Sequence, residues 1–597
     1  KGAAPKVGEH IELRARLRPL LGPVRPGGYD FALGAYFNGL GATGFILGRH
    51  KTIASDREPP FWIRANAEVE KVRRGLTARI RASVPGDAGA VAAALVTGIR
   101  DDISRETNEA LRVSGLYHVI SISGLHMALI AGALFALARG TLALIPGLAL
   151  RRPIKKWAAV LALLGVTAYL VLSGAEVATQ RSYVMIAVVL VGVLFDRPAL
   201  TLRTLAAAVV VTLIVSPEAV MNPGFQMSFA ATLALVSFYE RWSPAIAQPP
   251  GPGASLLRET AGRTGRWILL GATTSLVAGL ATAVYAAFHF HRAAPYGVLA
   301  NVLAMPLIAF VIMPMALAGI LLLPFGFDAY AWQVMGLGIG GMIHVAKWVA
   351  AIDGADGRIG AFGAGAVLLA TVALLVLAIP ATRLRLIGVP LALCALFLIW
   401  NAPRYDIYVD AEGDAIAVRA EDGKLSIHSL RRDRLATESW LAADGQGAIA
   451  ASELARAFTC DTEGCTAKLK DGTLIALPLK PEALADDCTR AALIISRREV
   501  PANCPLPVID RNTLAATGAL ALRKTRDGWE VHPARSPFAD RPWYGRANPP
   551  DPSVLQRLAV QAQPKREASP PLVTPESGAG DNAAPEVPDE SEAADDQ

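Results

Sequence analysis

Between Val119 and Trp400 apolar residues gather into ten runs, at 119–148, 158–173, 178–194, 204–217, 224–239, 267–288, 296–324, 330–351, 361–380 and 386–400. Runs of that length predict helices that cross hydrocarbon, the shortest being only just long enough. Upstream the pattern differs. Residues 1–85 alternate polar and apolar side chains, as in Ile11-Glu12-Leu13-Arg14-Ala15-Arg16-Leu17-Arg18, with turn signals at Pro26-Gly27-Gly28 and from Gly39 to Gly44. This predicts a small β domain of barrel type. Residues 86–118 follow a helical period with a polar face of Asp101, Asp102, Arg105, Glu106 and Glu109, and predict amphipathic helices at the membrane interface. Residues 401–545 return to short strands with Asp-Gly and Glu-Gly turns, a second soluble α/β domain. Residues 546–597, rich in Pro, Ala, Glu and Asp, predict a disordered acidic tail.

Only 18% of the 597 residues are charged, against about 25% in soluble domains. The expected fold class is therefore a polytopic α-helical membrane protein with soluble flanks. The net charge of +7 is what basic cytoplasmic loops confer, and it permits nucleic-acid affinity without requiring it. If all ten runs cross, the basic loops fall on one side: Arg151, Arg152, Lys155 and Lys156; Arg197 and Arg203; Arg241, Arg258, Arg263 and Arg266; Arg383 and Arg385. That side is cytoplasmic by the positive-inside rule, which puts both soluble domains on the periplasmic face of a bacterial inner membrane. The sequence opens at Lys1 without Met or a signal-peptide pattern, and reads as part of a longer product.

Of five cysteines, Cys394 sits in the last apolar run, and Cys460, Cys465, Cys488 and Cys504 all fall in the C-terminal domain. An even number in an oxidising compartment predicts two disulfides, Cys460–Cys465 and Cys488–Cys504 by proximity. A four-cysteine zinc cage is the competing reading, but the spacings lack a C-x₂-C knuckle.

The densest polar stretch is Ser114-Gly115-Leu116-Tyr117-His118-Val119-Ile120-Ser121-Ile122-Ser123-Gly124-Leu125-His126, at the start of an apolar run. On an ideal helix His118 and His126 lie about 80° apart and border one face. Tight packing of small residues, with each His bonding a carbonyl, accounts for the same pattern. Further on, Glu176, Thr179, Gln180 and Tyr183 share a helical stripe, with Arg181 pointing elsewhere; pore lining and a structural Glu–Arg pair both fit. Asn222 before Pro223 reads as a helix cap, leaving Gln226 and Ser228 as candidates. His289 and His291 suit an aromatic and His rim, with too few ligands for a metal. Asn301, Pro306 and Pro314 interrupt the run 296–324, so its helix is broken or kinked.

The first of these stretches resembles the signature of the ComEC competence family, Ser-Gly-Leu-x-His followed by Ser-Gly-Leu-His. Three more stretches agree in order: Leu172 to Ser182, Asn222 to Thr232, and Phe288 to Arg292 followed by Pro295-Tyr296-Gly297 and Ala300-Asn301 to Pro306. The likeness extends to Arg25-Pro26-Gly27-Gly28-Tyr29-Asp30-Phe31 in the leading domain, which in the family is OB-like and follows membrane helices that this sequence lacks.

The resemblance implies an inner-membrane channel for single-stranded DNA in natural transformation, with a periplasmic DNA receptor and a cytoplasmic ATP-driven motor as partners beside the lipid bilayer. Arg14, Arg16, Arg18, Tyr36, Arg49, Lys51 and Trp62 would form a charge and stacking surface for the strand. Many relatives end in a metallo-β-lactamase-like nuclease with a His-x-His-x-Asp-His motif. Here His428 and His532 are the only His after Trp400 and neither lies in such a motif, so the C-terminal domain reads as degenerate and non-catalytic, with no cofactor or metal expected. No P-loop is present. Two other classes compete. One is a small-molecule or lipid transporter, which broken helices would suit; the other is an intramembrane enzyme using His118, His126 and Glu176.

Overall fold

The computed structural model describes residues 5–54, 58–197, 201–246, 256–429, 434–447, 449–501, 504–526, 528–535 and 541–544. The expected acidic tail lies outside them. Two short ladders open the chain. Strand β1 (Ile11–Glu12) pairs with β4 (Lys51–Thr52), and β2 (Ala15–Arg18) with β3 (Thr43–Ile46), around helix α1 (Phe31–Phe37). The expected β character stops there, because Phe61–Ser83 is a helix, α2. Its alternation of charges also satisfies a helical period, and Glu70 pairs with both Arg73 and Arg74 one turn on.

Helices α3 (Gly86–Thr97) and α4 (Arg105–Val113) follow. Only α4 is amphipathic. Gly89 to Thr97 of α3 are all buried, so it is a core helix, apolar on every side. It is wedged against α2, α7 (Ile154–Leu172), α13 (Met313–Leu322) and α14 (Asp328–Ala350). At its entry Val84 packs on Gly336 of α14, where a Cβ would lie 2.6 Å from Val84 Cγ1.

The other bundle helices are α5 (Gly124–Ala143), the short α6 (Pro146–Arg151), α8 (Val177–Leu194), α9 (Leu202–Val215), α10 (Pro223–Ile246), α11 (Leu256–Phe290), α12 (Gly297–Leu307), α15 (Ala364–Ala378) and α16 (Gly388–Trp400). Each of the ten apolar runs is helical, and among the described residues six helical segments are long and apolar enough to cross a membrane. The run expected to break does not unwind. A π-helical turn, Ile308–Ile312, joins α12 to α13 between Pro306 and Pro314, so the carbonyls freed by the prolines are taken up by a local change of pitch.

Beyond Trp400, two five-stranded sheets pack face to face. One, antiparallel, has the order β16-β15-β7-β8-β9, with β7 (Ile407–Val409), β8 (Ala415–Arg419), β9 (Leu425–Ser429), β15 (Leu520–Thr525) and β16 (Gly528–Pro533). The other, mixed, has the order β10-β11-β12-β13-β14, with β10 (Phe458–Cys460), β11 (Gly464–Lys468), β12 (Leu474–Pro478), β13 (Leu493–Ile495) and β14 (Val508–Ile509). Strand periodicity divides each strand between layers. Ile407, Val409, Ile475, Leu493 and Ile495 fill the space between the sheets. Tyr408 and Ala417 face a helix at Arg434–Ala443, and Ala476 and Ile494 face another at Ala483–Arg490. The domain is thus a four-layer α/β/β/α sandwich. Its cysteines are bonded as expected, Cys460 to Cys465 and Cys488 to Cys504.

Candidate functional site: a ring of four polar segments

The segment Ser114 to His126 is not the start of one helix. Gly115 takes φ +80° after α4, Tyr117–Val119 forms a separate single turn, and α5 begins only at Gly124. His118 is exposed, with Nδ1 2.9 Å from the Gly115 carbonyl, while His126 is buried, so the two do not share a helical face. His126 Nδ1 accepts from the Ser123 backbone N–H at 3.1 Å. That leaves Nε2 as the protonated nitrogen of a neutral ring, and it is buried without a partner. Ser114 is buried on the Leu111 carbonyl; Ser121 and Ser123 are half-buried.

Contacts between segments close a ring. Gly124, of the first, lies against Ser182 of the second, 4.0 Å from the position of an added Cβ. Arg181, of the second, donates from Nη1 to Asn222 Oδ1 of the third at 3.3 Å, and its guanidinium covers Gly224. The Gln226 side chain, of the third, meets His289 Nε2 of the fourth at 2.8 Å. Ala294 and Gly297 of the fourth return to Gly115 of the first, where a Cβ would come within 2.9 Å of Ala294 Cβ. Asn222 also caps α10 by accepting from Gly224 N–H, and Ser228 reaches only Met185.

The ring is stepped. Gln226, in the first turn of α10, meets the end of α11, whereas Asn301 of α12 bonds Ser275, roughly four turns earlier in α11. Asn301, in the second turn of α12, therefore lies about 20 Å back along α11 from the Gln226 contact. The connection from α11 to α12 contains the short strand β5 (Arg292–Ala293), paired with β6 (Gly357–Arg358), and then a turn in which Gly297 N–H donates to the Ala294 carbonyl. Among the described residues, His126 Nε2, Thr179 Oγ1, Arg181 Nε and Asn301 Oδ1 are buried polar atoms of the ring that lack a hydrogen-bond partner. Glu176 is not among them: it pairs with Arg100 at the edge, and Gln180 folds back on the Ala175 carbonyl.

Arg25 and His291 form a pair that local sequence does not signal, since nothing in it joins residues so far apart. Arg25 is buried, forms no ion pair with a carboxylate among the described residues, and donates from Nη2 to His291 Nε2 at 2.6 Å. His291 stands at φ +55° just past α11, near Arg25 and His289, and Tyr405 and Tyr408 of the C-terminal domain are also neighbours of Arg25. Burial, reinforced by the Arg25 charge, holds His291 down at about 4. A histidine depressed in the docked state stabilises docking fully above its ordinary value of about 6.5 and loses that contribution as pH falls from there toward 4. The contact is expected to weaken by up to ~3 kcal/mol over that window. Hydrogen exchange of residues 20–30 at stepped pH measures it; His291→Gln should flatten the response.

The expected strand-binding groups are exposed but dispersed. Arg16 and Arg18 share one face of β2, Arg14 and Arg49 lie in loops, Lys51 is on β4, Tyr36 on α1 and Trp62 on α2. Tyr36 and Phe37 also pack on Trp543.

Helices apolar enough to span a bilayer, tied at their ends by a ring of polar segments, define a polytopic membrane protein. Residues 95–384 match the family model described as Competence protein, so that part of the chain is similar to the competence family. It is 26% identical over 270 residues to ComE operon protein 3 of Bacillus subtilis (strain 168), covering 44% of this chain and 31% of that protein. It is 27% identical over 324 residues to competence protein ComA of Neisseria gonorrhoeae, covering 52% of this chain and 41% of that one. The chain thus spans less than half the length of the curated relatives it matches. No solved structure matches it.

Proposed function

We propose that this chain is an inner-membrane channel that admits single-stranded DNA during natural transformation. The observation that carries the reading is the closed ring, in which the buried His126 Nε2, Thr179 Oγ1, Arg181 Nε and Asn301 Oδ1 lack a hydrogen-bond partner among the described residues. Such atoms inside an apolar bundle call for water or a polar substrate. The non-helical segment at 291–296 adds to it, since non-helical backbone among membrane helices is tolerated when it is enclosed by protein or lines a wet cavity. In this reading all ten apolar helices cross, and the N-terminal ladders and the C-terminal sandwich stand together on the periplasmic side. The exposed arginines of β2 then meet the strand first, a periplasmic receptor delivers it, and a cytoplasmic ATP-driven motor draws it in.

The sandwich is read as a reduced metallo-β-lactamase-like domain without hydrolytic work. His428 and His532 lie on β9 and β16, the opposite edges of one sheet, roughly 19 Å apart at ordinary strand spacing, so they do not meet at one metal centre.

The test is uptake of labelled DNA in cells lacking the protein, complemented with wild type or a His126→Ala, Gln226→Ala double variant. Deletion should abolish internalisation. The double variant should reduce it by roughly tenfold or more, the size expected from losing buried hydrogen-bonding groups. Unchanged internalisation after deletion would end the proposal.

A further inference from the structure

The Cys460–Cys465 disulfide has a third member. The two cysteines are directly opposed on β10 and β11, and His428, from the edge strand β9 of the other sheet, brings Nε2 to 3.7 Å from Cys465 Sγ. The imidazole nitrogen and both sulfurs lie within 4.8 Å of one another. Phe458, tilted against the His428 ring at 5.4 Å between centroids, helps fix its orientation. Cys465 is buried and Cys460 exposed, so the group sits at an open rim of the sandwich.

A tetrahedral zinc ion bound by thiolate at about 2.3 Å and imidazole at about 2.0 Å separates those two ligand atoms by roughly 3.6 Å. The observed nitrogen to sulfur distance already matches. Only the two sulfurs must move apart, by side-chain rotation, because the backbone ladder between β10 and β11 holds both cysteines in register. The second disulfide differs: it ties the helix at Ala483–Arg490 to the buried Cys504, and no His, Asp or Glu cluster of this kind surrounds it among the described residues.

We propose that Cys460, Cys465 and His428 form a redox-gated site for a thiophilic divalent ion, zinc being the ion of choice. The disulfide is the closed state. A dithiol donates two electrons and two protons, becoming a disulfide itself, and converts the bond into two thiols. Zinc then displaces both thiol protons and binds the two thiolates and His428 Nε2, with water in the fourth position. Oxidation by a disulfide donor expels the ion. One thiolate pair and one neutral imidazole suit zinc in preference to magnesium or calcium, whose ligands are oxygens.

The test uses the full chain in detergent, with bound zinc measured by equilibrium dialysis before and after reduction by a phosphine. The expected result is one zinc per chain after reduction and none before. Replacing Cys460 and Cys465 by Ser should abolish uptake, His428→Ala should weaken it by about tenfold or more, and Cys488→Ser with Cys504→Ser should leave it intact. Cobalt in place of zinc should show a thiolate charge-transfer band that Cys460→Ser diminishes. Equal uptake by the oxidised protein, uptake surviving loss of Cys460 and Cys465, or no uptake by the reduced wild type would each overturn the site. None of these outcomes bears on DNA entry, so the site and the channel stand or fall separately.

Discussion

Arg181→Met should leave the protein as stable as wild type, or more so, while DNA internalisation falls by about 100-fold, the equivalent of ~3 kcal/mol. The opposite signs come from the same feature. Arg181 is 6% exposed near the start of α8, forms no ion pair with a carboxylate among the described residues, and is held there by Asn222. A buried cation without a counter-charge costs stability, and an apolar side chain of similar length removes that cost. Asn222 keeps its other role as the cap of α10, so the helix start is not lost with the guanidinium. A residue retained against its own stability cost needs a functional reason, and a polyanionic substrate passing the ring supplies one. Arg181→Lys keeps the charge but not the fork that spans Asn222 and Gly224, and should fall between. Uptake per membrane-inserted protein, read beside thermal melting in detergent, decides the matter. If uptake persists in Arg181→Met, or is lost only in proportion to protein lost from the membrane, the guanidinium belongs to the packing and not to the path.

The contrast between what could and could not be read in the residues follows the range of the forces involved. Apolar runs are local, so every one of them is found as a helix, and the disulfides, short in sequence separation, pair as proximity suggests. The members of the ring were legible as polar stretches in apolar surroundings. Their closure was not, because Arg181 to Asn222 and Gln226 to His289 are tertiary contacts between helices. Where two periods fit the same residues, tertiary context decided: the charged alternation of α2 serves a helix, and α3, expected at an interface, is apolar enough to be swallowed by the bundle. Spacing alone predicts His118 and His126 on one helix, but His118 belongs to the separate turn Tyr117–Val119 and the cap at Ser123 divides it from α5. The N-terminal strands alternate as expected, yet both faces of β2 and β3 are exposed, with Leu17, Phe45 and Ile46 uncovered. Alternation specifies a pleat, and it does not specify what covers it.

Trp440→Ala should destabilise the C-terminal sandwich by about 3–5 kcal/mol, the range for truncating a fully buried aromatic. Trp440 is 0% exposed and stacks on Tyr408 with centroids 5.7 Å apart. Its Nε1–H leaves the domain altogether, donating to the Val24 carbonyl at 2.9 Å, next to the buried Arg25 that meets His291. One side chain therefore serves two purposes, core packing for the sandwich and docking for the N-terminal segment. Trp440→Phe separates them. It keeps most of the ring area against Tyr408 and removes only the donor to Val24, at a cost of about 1 kcal/mol. Hydrogen exchange should then show residues 20–30 losing protection in both variants, and the sandwich strands losing it only in Trp440→Ala. Protection of the N-terminal segment that survives in Trp440→Phe would mean that Arg25 and His291, not Trp440, hold the junction. Loss confined to the sandwich in Trp440→Ala would mean that the two soluble parts do not act as one body above the ring.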